Sequence, residues 1–300
     1  TPVHLAVVMF FWVCFFKVPK ATTLPEMAAS TPPPDICSVQ PSPPDARDLI
    51  LSHRDCPQTP PPTLDWRPFL LAVRDQGAQG SCMAHAAAAM KEFQELIDVD
   101  LRQALSPQYI YDHRRNRWDQ NPHNDEGMCS RDCMKILFWR GVCLEQSYAY
   151  GKTTTKMTLA ILNEARQHRI KGYAAIHSAA MLKAALACYG PCIITVPVYH
   201  HQVDMWKPLH RGQQPLGGHA MLVVGYTSSS FIIRNSWGID WGDRGYCYYP
   251  FDDYGDHWEV WATLDRTNGT GCRRSAMTAL LEGDDVIDGD PLPAPDAASD

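Results

Sequence analysis

Twelve prolines crowd into residues 19–62. Each fixes φ and removes a backbone donor, so this stretch builds neither a regular helix nor a sheet of its own. It reads as an extended linker or a short pro-segment, and its Pro-Pro-Pro runs as spacer. The folding information must therefore lie downstream, in a body expected over 63–274. Upstream, residues 5–16 form an unbroken apolar run, too short for a comfortable span of roughly 20 residues but suited to a signal-peptide core or short anchor within 1–18. That points to a secreted or membrane-anchored protein. Beyond Arg274 no basic residue occurs and seven acidic ones do, so 275–300 is expected to be an acidic, disordered tail. The net charge of −6 becomes +1 once those seven are set aside, which gives no electrostatic case for nucleic acid. Eleven cysteines leave at least one thiol without a partner in the chain. The pairs Cys129/Cys133 and Cys188/Cys192 have a spacing that suits one helical face, but neither follows a zinc pattern. No metal and no cofactor is expected.

Within the body the order of signals is helices first and strands later. Alanine-rich 84–96, a segment opened by Ser106-Pro107, and 131–140 closed by Gly141 read as helices. Residues 192–198, 220–226, 231–234 and 245–249 read as β-runs between glycine breaks. This order indicates an α+β body of two halves with a cleft between them.

Three places carry chemistry. In Gln76-Gly-Ala-Gln-Gly-Ser-Cys82, a glycine-rich loop delivers a cysteine into the first turn of the alanine-rich helix, where unpaired N–H groups and the helix dipole favour a thiolate. A buried structural cysteine is the plainer alternative at that point. The Gln76 amide can point at the same space as the Cys82 N–H, as an oxyanion hole requires. Next, Gly217-Gly218-His219 stands at the mouth of an apolar strand, where the glycines permit close backbone approach. Finally, Asn235 ends the strand expected to pair with the histidine strand, placing its oxygen to orient the imidazole, and Trp237 is positioned to shield that bond from water. A nucleophile, a base and an orienting group are then all present.

The chain resembles the papain family of cysteine peptidases. The motifs are Asp65-Trp66-Arg67, Gln76-Gly77, Gly80-Ser81-Cys82, Glu145 through Tyr150, His219 through Tyr226, and Asn235-Ser-Trp-Gly through Trp241-Gly242. His219 follows Cys82 by 137 residues and Asn235 follows it by 153. The resemblance implies a papain-like two-lobed α+β fold, with a helical left lobe, a β-barrel-like right lobe and the active-site cleft between them. It further implies a peptidase working through a thiol acyl-enzyme on polypeptide substrates. Cys82 would be the nucleophile and His219 the base, the two resting as thiolate and imidazolium. Asn235 would orient the imidazole, with Gln76 and the Cys82 N–H as the oxyanion hole. Gly127 and Gly218 would border the substrate groove together with Trp237, and approximate alignment puts Thr195 and Val196 near a groove wall. A monomer is expected.

Several departures narrow the resemblance. Gln79 stands where most members carry a disulfide cysteine, Met83 replaces an aromatic residue after the nucleophile, and Glu126-Gly127 only partly matches the groove's double glycine. No long helical pro-region precedes the body. These features are closer to a reduced, xylellain-like branch than to lysosomal cathepsins. Two other activities use the same parts: a transpeptidase or ligase resolving the acyl-enzyme with an amine, and a catalytically idle scaffold working through the proline-rich arm. The arm itself has two readings. It is a free spacer, or part of 17–62 lies along the cleft near Cys82, because an extended chain can block a groove without folding.

Overall fold

The alanine-rich segment forms α1 (Cys82–Val99), the longest helix of the computed structural model, which describes residues 37–56, 59–114, 127–152 and 155–264. The stretches expected to be a signal or anchor segment and an acidic tail lie outside those residues. Alanine needs no rotamer ordering in a helix, and seven consecutive positions from Ala84 to Met90 are buried. Ser106 caps α2 (Pro107–Asp112), its Oγ accepting from Tyr109 N at 2.9 Å, with Pro107 opening the first turn. The third helix, α3 (Ser130–Trp139), ends before Gly141, whose φ of +77° a side chain rarely adopts and whose absent Cβ would sit 1.9 Å from the Ala165 carbonyl. Thr158 caps α4 (Leu159–Ala165) in the same way as Ser106 caps α2.

The second half supplies six strands of a seven-stranded antiparallel sheet, and the seventh comes from ahead of α1. The strands are β1 (Leu64–Asp65), β2 (Gly172–Ala175), β3 (Cys192–Val198), β4 (Gly217–Tyr226), β5 (Ser230–Arg234), β6 (Tyr246–Pro250) and β7 (Glu259–Leu264). They run in the order β2-β7-β3-β4-β5-β6, with β1 added on β4. The expected hairpin exists: β4 pairs with β5 through the turn at Thr227, with a bulge between Val223 and Gly225. One more helix, α5 (Ala179–Tyr189), interrupts the strand-rich half, capped by Ser178 Oγ and ended at Gly190. Cys188 therefore closes a helix while Cys192 opens β3, so these two do not share a helical face. Both faces of the sheet are buried. One face meets α1–α4 through Ala220, Leu222, Val224 and Ile193. The other meets α5 through Met221, Val223, Ile194 and Val196.

Residues 37–56 form no helix or strand run, as their prolines require, yet they are not loose. Cys37, Val39, Leu51 and Cys56 are all buried. Val39 N donates to Gly218 O and Gly218 N donates to Cys37 O, both at 3.1 Å, so the arm pairs with the start of β4. Ser42 is held by Glu259, and Asp48 by the Arg131 guanidinium. Leu49–Leu51 pairs with Ala175 on β2, which is otherwise an edge strand, and so removes an exposed ladder. Among the described residues no helix is long and apolar enough to cross a membrane.

Candidate functional site

The loop that carries Gln76 is held against the segment that carries Asn235. Gln76 N donates to Ser236 O at 2.8 Å, Gly238 N donates to Arg74 O at 3.1 Å, and Asp75 bridges Trp237. Beneath that pairing, Arg234 donates to the Leu71 and Ala72 carbonyls, and Arg74 pairs with the buried Glu92. Tyr150 ties the loop to the helix start: its hydroxyl donates to Gln76 O at 2.7 Å and accepts from Ser81 Oγ at 2.6 Å. Cys82, the first residue of α1, thus follows a loop fixed on both sides.

Gln76 is buried and oriented by two bonds. Its Oε1 accepts from Ser236 Oγ at 2.6 Å, and Nε2 donates to Gln79 O at 2.9 Å. His219 Nε2 and Asn235 Oδ1 are 2.7 Å apart. An amide oxygen only accepts, so the imidazole proton sits on Nε2 and Nδ1 carries the lone pair. No described residue hydrogen-bonds that buried Nδ1. Asn235 Oδ1 also accepts from Ser236 N at 2.8 Å, which fixes the amide. The Trp237 ring lies 4.5 Å from the His219 ring, centroid to centroid, and Trp241 backs it edge-on at 5.6 Å. The tryptophan thus covers the His219–Asn235 bond.

The arm runs between the expected groove glycines. A Cβ on Gly127 would lie 2.5 Å from Ser38 Oγ and 2.7 Å from Ser38 O, and one on Gly217 would lie 1.9 Å from Cys37 O. One on Gly218 would meet Val39 O at 2.3 Å and the Trp258 ring at 2.1 Å. Only glycines allow an extended backbone this close on both sides. Burial pushes the Cys37 thiol up to about 12, with Cys82 adding to the rise, and Val39 shares one buried cluster with Cys82, so the arm packs on the side of the nucleophile candidate.

Thr195 and Val196 pair across β3 and β4 with Ala220 and His219. Strand alternation turns Val196 into the core shared with α5, and both residues are fully buried in this arm-covered form, so neither offers a groove surface here. Ser236 stood in the Asn235-Ser-Trp-Gly motif without a role of its own, and the sequence carried no signal for Trp258 or Met128. The last is buried in one cluster with Cys82, Ala220 and Val39.

Burial lowers His219 to about 4, with His201 adding to the fall and Asn235 opposing it. In the covered form the imidazole is therefore neutral above that pH, unlike the thiolate–imidazolium pair that the resemblance implies. The cause is exclusion of water by the arm and Trp237. His85, which donates from Nδ1 to Ser81 O, is likewise lowered to about 3 by burial. Both folded values lie below the unfolded value near 6.5, so unfolded chains bind these protons first. Stability is then full above pH 6.5 and is lost as pH falls towards 4. His219 alone removes about 3 kcal/mol by pH 4, and His85 a similar amount. The melting temperature of the full chain should fall steeply over that window, and a flat profile from pH 6.5 to 4 would contradict the burial of both rings.

Known proteins share this chain's sequence pattern and fold. The profile described as papain family cysteine protease matches residues 60–255. A cysteine protease of Blomia tropicalis is 29% identical over 218 residues, covering 67% of this chain and 63% of that protein. Cathepsin S of Bos taurus is 27% identical, covering 66% and 62%. The chain thus spans less than two thirds of the length of these curated relatives. Among solved structures, xylellain, a cysteine protease from Xylella fastidiosa, superposes with a TM-score of 0.66 at 27% identity, covering 77% of this chain and 96% of that one. Digestive procathepsin L 3 of Tenebrio molitor larval midgut shares the fold, with a TM-score of 0.60 at 19% identity.

Proposed function

The chain belongs to the papain family of cysteine proteases, and from that premise we propose that it is an active peptidase that cleaves polypeptides through an acyl-enzyme on Cys82. The observation that carries this reading is the 2.7 Å bond from His219 Nε2 to Asn235 Oδ1, which leaves Nδ1 as the basic atom. In this mechanism Nδ1 takes the Cys82 proton and the thiolate attacks the substrate carbonyl. The Cys82 N–H and the second N–H of Gln76 hold the oxyanion, and the imidazolium returns its proton to the leaving amine. Water, deprotonated by the same nitrogen, then resolves the thioester. Gly127 and Gly218 border the groove that admits the substrate backbone, and Trp237 keeps water from the orienting bond.

The test is labelling of the protein by an epoxide thiol probe, located by peptide mass. Label on Cys82 that Cys82→Ala removes supports the reading, and a folded protein that takes no label after reduction and removal of the arm overturns it. An added amine nucleophile would divert the acyl group to an amide if the chain were a transpeptidase. Gln76→Ala should lower kcat by roughly 10²–10³-fold with little change in KM, because the charge it meets develops only in the transition state. Ser236→Ala removes only one of the two bonds that orient Gln76, worth about 1 kcal/mol, so kcat should fall about fivefold. Equal kcat for both variants and the wild type would leave Gln76 as a loop residue. Export or membrane attachment rests on the apolar run at 5–16, and a monomer suffices because every proposed catalytic group comes from one chain.

A further inference from the structure

The arm brings a second cysteine to the body, far from the nucleophile. Cys56 ends the described arm, and Cys188 lies in the last turn of α5. Both are buried in one apolar cluster with Leu51 and Cys192. Their thiols are hydrogen-bonded to each other, and that bond, more than burial, raises the Cys56 thiol far above its ordinary value. A second tie fixes the neighbouring backbone: Tyr189 Oη donates to Asp55 O at 2.8 Å, joining the residue before Cys56 to the residue after Cys188. The two sulfurs are therefore adjacent because two consecutive positions on each segment are docked, and not through a passing side-chain contact. Neither thiol takes part in the proposed catalysis.

We propose that Cys56 and Cys188 form a disulfide in an oxidising environment, clamping the cleft-covering arm to the body so that cutting the linker releases activity only after reduction. The oxidant is a low-molecular-weight disulfide, RSSR. One cysteine thiolate attacks RSSR and expels RS⁻. The other then attacks the sulfur of the mixed disulfide and expels a second RS⁻. The two protons lost by the cysteines end on two RSH, and the net change is two thiols to one disulfide. Exchange takes place as the chain folds or when the arm lifts, since the closed pair is buried.

The consequence follows from the path of the chain. From the cleft at Cys37–Val39 the arm passes Arg131, pairs with β2, reaches α5 at Cys56, and continues through 59–62 into β1. A cut within the linker severs the peptide connection between the arm and the body, and with the pair reduced the arm can then diffuse away. With the disulfide in place the same segment stays tethered, at an effective concentration on the order of millimolar, and keeps returning to the groove. The consequence for activity rests on the peptidase reading, whereas the bond itself does not.

The experiment equilibrates the full chain with glutathione disulfide, blocks remaining thiols by alkylation in denaturant, and maps peptides without reduction. A peptide pair joined through Cys56 and Cys188 is expected; both residues alkylated, or Cys56 joined to Cys192 instead, overturns the proposal. For the consequence, a sequence-specific endopeptidase site replaces 59–62 in a Cys37→Ser background, which removes the thiol that the arm carries to the cleft. After oxidation and cutting, this protein should take the epoxide probe at Cys82 at least tenfold more slowly than the same protein with Cys56→Ser, and a phosphine reductant should abolish the difference. Cys188→Ser serves as the second variant should Cys56→Ser fold poorly. Equal labelling of cut oxidised protein with and without Cys56 overturns the gating. Absence of label even after cutting and reduction sinks the peptidase reading instead, while the peptide map still decides the bond.

Discussion

Replacing Cys82 by alanine should lower kcat/KM by at least about 10⁴-fold, measured on protein matured in the same way as the wild type, with a loss of only about 1 kcal/mol in stability. The asymmetry follows from where the sulfur sits. Cys82 is fully buried as the first residue of α1, so alanine keeps the helix start and removes a single heavy atom from the packing. Chemically the loss is complete. Gln76 and the backbone N–H can still bind a developing oxyanion, but no atom remains to form the thioester. His219→Ala should cost a comparable factor, and the double variant little more, because the two act as one unit. A fluorogenic peptide assay beside thermal unfolding separates the outcomes. Activity within tenfold of wild type would mean that the reaction runs through another group.

That residue was legible because its signal is local: small residues, a cysteine and a helix start fall within a dozen positions. The hairpin joining His219 to Asn235 was legible for the same reason, as two apolar runs separated by one turn. What the sequence concealed acts across long separations. Ser236 orients Gln76 over 160 residues, and nothing in either residue's neighbourhood announces the pairing. The helix α5 stayed hidden because its residues are apolar on nearly every side, so no 3.6-residue stripe marks it off from the strands around it. Approximate alignment put Val196 near a groove wall, but strand alternation decides which face a residue joins, and register is settled by the neighbouring strands. For the arm, the prolines correctly excluded a regular helix or strand run over residues 37–56, where the only internal hydrogen bonds described are local turns. The prolines had no bearing on bonds made to β2 and β4, which need donors and acceptors only at Cys37, Val39, Leu49 and Leu51.

Removing the arm should raise the rate of probe labelling at Cys82 on the order of 10²-fold. Two backbone hydrogen bonds to Gly218 contribute about 1 kcal/mol each, and the fully buried Val39 side chain about 2 kcal/mol. Ordering three residues would offset most of that, at about 1 kcal/mol each, if 37–39 were a loose end. They are not, because Ser42 on Glu259 and Asp48 on Arg131 already hold the following segment, so much of the ordering cost is met by contacts outside the cleft. A chain starting at Thr63 loses all of these contacts together, and also loses Leu51 and Cys56 from the core, so its melting temperature should fall as its labelling rises. Val39→Pro separates the two effects. It removes the donor to Gly218 O and leaves the Ser42–Glu259 and Asp48–Arg131 contacts that dock the rest of the arm, so labelling should rise about fivefold with a small change in stability. Matching labelling rates for the full chain, Val39→Pro and the Thr63 start would show that residues 37–39 do not obstruct Cys82. A graded rise across the three, with the melting temperature falling sharply only in the last, assigns latency to the cleft contact and stability to the remainder of the arm.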